Sequence, residues 1–93
     1  MTREIIALAL EAEGLKTSAH GFAVPDEREA ACLVSAPGDV VTVSRVVLFD
    51  LRDKYLFLQT ARDERFVFAY EDILGLRILG RSQAKERSAG FSR

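Results

Sequence analysis

"VVTVSRVVLFDLRDKYLFLQTARDERFVFAYEDILGLRIL", residues 40–79, decides the fold. It is dense in Val, Ile, Phe and Tyr, the residues that suit a pleated, half-buried surface. Its first third, Val40–Leu51, reads as one long strand. Val41, Val43, Val47, Phe49 and Leu51 share a face that is interrupted by Arg45. On the other face Thr42 and Ser44 are polar, whereas Val46 and Leu48 are apolar. Such a strand starts half-exposed and ends apolar on both sides. It is longer than a typical strand, so a bend is expected near Ser44–Arg45.

Two further strands follow, 54–60 (KYLFLQT) and 65–70 (RFVFAY), joined by ARDE. Each alternates an aromatic with an aliphatic side, which calls for cover on both. EDILG (71–75) is a tight connection, and a last strand at 76–79 is closed by Gly80. Short links make sequential strands antiparallel neighbours.

Upstream, 30–35 (AACLVS) reads as a strand that ends in the Pro-Gly turn APGD. Gly21–Val24 is a candidate short strand stopped by Pro25, and DERE is a charged turn or the start of a brief helix. Residues 2–13 form the best-signalled helix. Thr2 is a hydroxyl N-cap, and Glu4 sits where the helix dipole favours an anion. Ile5, Leu8, Ala9 and Ala12 fall on one face, widened by Ile6 and Leu10. Gly14 is placed for a left-handed ending, with Leu15 reaching back to Leu10. The fold expected is α+β, mainly β: an N-terminal helix, then a small antiparallel β-barrel or rolled sheet. Residues 1–80 make one globular domain and 81–93 a basic C-terminal tail.

Ninety-three residues, 48% of them apolar, suit one globular domain with a modest core, for which oligomerisation is an ordinary way to bury more. One cysteine excludes an intramolecular disulfide framework. No leader pattern and no run of membrane-spanning length is found, so a cytoplasmic protein with no membrane partner is expected. The net charge of −1 hides an asymmetry. Residues 1–30 hold three basic and six acidic side chains; residues 77–93 hold five basic and one acidic.

Catalytic constellations are absent. Nucleophilic catalysis needs a base beside the nucleophile. The single His20 lies in a Gly/Ser-rich loop, and Cys32 lies mid-strand as a core residue. One His and one Cys do not make a zinc site, and no phosphate-binding glycine loop is present. The acid pairs of DLRD and YED read as turn residues. No enzyme, cofactor or metal is expected.

Binding remains. Arg52 and Lys54 project from a hairpin tip beside Tyr55, a pairing that suits phosphate contact and base stacking. Asp50 and Asp53 interleave with them and cancel most of the local field. With Arg77, Arg81, Lys85 and Arg87 these are the nucleic-acid-binding candidates. The doubly apolar strands point instead to a non-enzymatic interaction module that associates with itself or with another protein.

The order of elements resembles the Sm-like family over 30–79. AACLVS stands as the first strand and VVTVSRVVLFD as the long bent second. KYLFLQT, RFVFAY and LRIL follow, with EDILG as the short helical turn. Phe49–Asp50 followed by Tyr55–Leu58 is similar to the family's aspartate-then-apolar-run pattern. Departures are that Lys54–Tyr55 stands where Asn is usual, Tyr70–Glu71 where Arg-Gly or Lys-His is usual, and Ser44–Arg45 where a glycine allows the bend. SH3-like and pleckstrin-like barrels share the strand pattern. The resemblance implies subunits joined through their fourth and fifth strands, covering Phe66, Phe68, Tyr70, Leu76 and Ile78, and an RNA- or DNA-binding alternative.

Overall fold

The computed structural model describes residues 1–80; Arg81, Lys85 and Arg87 of the basic tail lie outside them. Helix α1 (Arg3–Ala12) is followed by strands β1 (Lys16–Ser18), β2 (Gly21–Ala23), β3 (Arg28–Ala36), β4 (Asp39–Val43), β5 (Val46–Leu51), β6 (Tyr55–Thr60) and β7 (Arg65–Ala69). A 3₁₀ turn (Tyr70–Asp72) leads into the last strand, β8 (Ile73–Gly80). The fold is mainly β, with antiparallel pairing throughout.

The strands form two sheets, ordered β1-β2-β5-β6-β7 and β4-β3-β8. The expected long strand is split between them. β4 lies in one sheet and β5 in the other, and the chain turns the corner at Ser44–Arg45 with Arg45 in the left-handed region at φ 56°. The amide of Ala61 donates to the Arg45 carbonyl at 2.9 Å, which pins this corner to the β6–β7 turn. Following the backbone, β8, β3, β4, β5, β6 and β7 make a rolled sheet. The roll is not a closed barrel: β7 and β8 end their respective sheets and are not paired with each other.

One core fills the roll. Phe22, Phe49, Leu58 and Phe66 stand in register across β2, β5, β6 and β7. Ala30, Cys32, Val34, Val43 and Ile73 face them from the other sheet. Ile6 and Leu10 are fully buried in the same cluster, so one stripe of the helix packs on this core. The outer residues Leu48, Phe57 and Val67 do not join this cluster; Val67 stays 60% exposed.

The helix ends as the side chains direct. The Thr2 hydroxyl accepts from the Ile5 amide at 3.2 Å. Gly14, at φ 82°, donates to the Glu11 carbonyl, and Leu15 donates to the Leu10 carbonyl, which together make a Schellman ending. Arg28 then clamps this end, with Nη2 2.6 Å from Glu13 Oε1 and Nη1 on the Glu13 carbonyl. The buried face is rotated from the one expected. Ile5, Leu8 and Ala12 are exposed, and Ile6 and Leu10 point inward. The two stripes are almost equally apolar, and packing against the sheets decides which of them is buried.

Other departures are local. β1 and β2 form a small antiparallel hairpin, of which only β2 is foreshadowed by the sequence. The DERE segment is a turn that enters β3, not a helix. β8 begins at Ile73, earlier than expected, because Ile73 already pairs with Val34.

Candidate functional site

Strands β7 and β8, which end the two sheets of the roll, are not paired with each other. In β7 the side chains alternate, so Phe66 and Phe68 point to the core side while Val67 points out. The Phe66 and Phe68 rings stack with centroids 5.9 Å apart. In β8, Leu76 and Ile78 point to the core side opposite Cys32 and Ala30. Each of these, with Tyr70 at the corner, packs against the core yet is only half-buried. The reason is geometric: a strand at the end of a sheet has a neighbour on one side only. The same position leaves backbone N–H and C=O groups without a ladder partner. Phe66 and Phe68 thus lie on one end strand, Leu76 and Ile78 on another, and Tyr70 on the turn between the two strands.

The edge of β8 has few of the devices that discourage pairing. Its sequence, ILGLRILG, holds no proline and one charge, and Leu74 and Leu79 are 54% and 47% exposed. By contrast β1, at the far end of the larger sheet, is three residues long and polar. The corner between β7 and β8 is held by Tyr70, whose hydroxyl donates to the Arg52 carbonyl. Burial pushes the Tyr70 phenol upward from its ordinary pKa.

The hairpin tip is arranged differently. Arg52, Lys54 and Tyr55 are exposed on and beside the β5–β6 turn. Arg52 Nε is 2.9 Å from Asp50 Oδ2, and that hydrogen bond and charge raise its pKa further. The charge of Arg52 is thus paired in place. Arg77 lies on the other sheet, opposite Ala31, beside Arg45 rather than Arg52. The described nucleic-acid candidates do not converge on one surface.

A convergence that the sequence does not announce lies at the β4–β5 corner. Arg45, Arg62 and Arg77 come from three separate places in the chain and border two depressions that share Ser44 and Arg45. The one sequence signal is Arg45 itself, a lone charge interrupting an apolar face. Cys32 is fully buried, and burial pushes its thiol up to about 11, which leaves it inert as a nucleophile at neutral pH. His20 is exposed in the β1–β2 turn. Among the described residues no group of three or more His, Cys, Asp or Glu is placed to hold a metal ion. No described helix is long and apolar enough to cross a membrane.

Compared with protein-family models, curated proteins and solved structures, the chain has no significant match.

Proposed function

We propose that the protein is a non-catalytic interaction module that self-associates through the β7–β8 seam. The observation that carries this reading is the open roll. Its end strands β7 and β8 each have one unpaired flank, and with the turn between them they carry five half-buried side chains packed on the core, Phe66, Phe68, Tyr70, Leu76 and Ile78. A strand from a second copy added to either edge would satisfy backbone groups and complete the burial at once. Roughly 40 Å² of extra apolar burial is worth about 1 kcal/mol, so completing several such side chains offsets a large part of the cost of association. A second copy is the occupant favoured because the same molecule supplies both a β7 edge and a β8 edge, so head-to-tail pairing needs no other chain.

Mass measurement by light scattering at low micromolar concentration tests the proposal. The expected result is a species larger than a monomer. A monomer that persists as concentration rises overturns the self-association reading.

A further inference from the structure

We propose that the β4–β5 corner is a binding site for a phosphate-type anion, held by Arg45, Arg62 and Arg77. Arg28, Arg52 and Arg65 each pair with a carboxylate, of Glu13, Asp50 and Asp63 respectively. Among the described residues Arg3, Arg45, Arg62 and Arg77 make no ion pair; Arg3 hydrogen-bonds Tyr70 at the other end of the roll, whereas Arg45, Arg62 and Arg77 border the two depressions that meet at Ser44–Arg45.

The larger depression, about 360 Å³, is lined by Thr42, Ser44, Thr60, Arg45, Arg62 and Glu64. The smaller adds Arg77 and Glu29 across the outer face of the β3–β8 pair. Three guanidiniums and two exposed hydroxyls, those of Thr42 and Ser44, outnumber the two carboxylates. Glu64 is also partly engaged, its Oε1 accepting from Thr60 Oγ1 at 3.4 Å. Guanidinium groups offer forked N–H donors that match phosphate oxygens in pairs.

The frame that presents them is fixed. Arg45 sits in the left-handed region, and its carbonyl accepts from Ala61. The turn carrying Arg62 is tied down by the Thr60 hydroxyl, which accepts from the Arg62 and Glu64 amides at 3.3 and 3.2 Å. Arg77 is held by β8 opposite Ala31. The cationic groups therefore project from three anchored backbone positions, and little backbone ordering is left to oppose ligand capture. The shared chemistry is a phosphate oxyanion, either free or as the diester of a nucleic-acid strand.

The test is an amide-resolved NMR titration of the full chain with sodium phosphate, against sodium chloride at equal ionic strength. A second arm titrates a single-stranded oligothymidylate. Phosphate is expected to shift the amides of residues 42–45, 60–64 and 77 selectively. R45G removes the guanidinium and relaxes the positive φ, so it keeps the fold; it should weaken phosphate binding about tenfold, one strong charge-assisted contact. R62Q should weaken it similarly, while R65Q, on a paired arginine, should leave it unchanged. If the oligonucleotide binds at the same amides with a steep salt dependence, the diester is the source; if phosphate alone binds, the source is a small phosphorylated ligand. Phosphate shifts no larger than those from chloride, or equal loss in R65Q and R45G, overturn the site.

Discussion

Gly21 runs so close to Phe49 that neither strand leaves room for a side chain between them. A β-carbon at Gly21 would meet the Phe49 carbonyl oxygen and come 2.8 Å from the Asp50 Cα, both rigid backbone atoms. Gly21 also sits at φ 118°, a conformation other residues rarely adopt. The β1–β2 hairpin docks on β5 through this contact, with Phe22 opposite Phe49. Gly21→Ala is expected to cost about 2–5 kcal/mol, combining strain with overpacking. Urea unfolding measures it, and a loss under about 1 kcal/mol contradicts the close approach.

The β8 edge yields a second prediction. Leu74 and Leu79 are exposed and separate from the core cluster. Leu74→Lys with Leu79→Lys adds to this edge the kind of charge that natural edge strands use against pairing. The double variant is expected to shift the species in solution to a monomer and to leave stability within about 0.5 kcal/mol. Light scattering and thermal unfolding on the same sample read both outcomes.

Cys32 makes stability depend on alkaline pH. Burial raises its folded pKa from 9.0 to about 11, so the folded state holds the thiol proton after the unfolded state has lost it. The unfolded chain then binds fewer protons, and stability falls as pH rises through this interval. Below it the contribution is fully present. The expected drop is up to about 2–3 kcal/mol. Tyr70, raised by burial as well, adds a fall of the same sign. Cys32→Ala isolates the thiol's share: its stability should decline less between these pH values than that of the parent chain.

Arg28 joins the helix end to β3. It reaches the carbonyl and the carboxylate of Glu13, and its buried Nε has no hydrogen-bond partner among the described residues. Arg28→Ala is expected to cost about 1–3 kcal/mol and to fray the last turn of α1. Amide exchange at Glu13, Gly14 and Leu15 reads the fraying directly. Arg28→Lys should not restore it, because a single ammonium replaces a two-pronged fork.

Much of the architecture was written in side-chain alternation. Strand periodicity puts Leu56 with Leu58 and Phe66 with Phe68 on shared faces, though both faces of β6 and β7 are apolar and only the pairing of the strands turns these inward. The bend at Ser44–Arg45 follows from a strand too long to stay in one sheet. The helix ending was equally local, since Thr2, Gly14 and Leu15 act through neighbours a few residues away. What stayed hidden depends on partners distant in sequence. Ile6 rather than Ile5 faces inward because the sheets decide between two similar stripes. β1 is polar and three residues long, so it has no signal of its own beyond its pairing with β2. The meeting of Arg45, Arg62 and Arg77 comes from the corner and the two sheets together, which no window of sequence contains.

The position of β3 sets an order of assembly. It meets β4 at once through the Pro37–Gly38 turn, where Gly38 adopts φ 72°. Its other neighbour, β8, arrives only after the rest of the roll has been laid down, with Arg28 opposite Gly80. Contacts so distant along the chain close late, so substitutions confined to β8 should mainly speed unfolding, while those in the β5–β6–β7 meander should slow refolding. Until β8 docks, one flank of β3 stands bare, and a concentrated refolding mixture will lose yield there to strands from neighbouring chains.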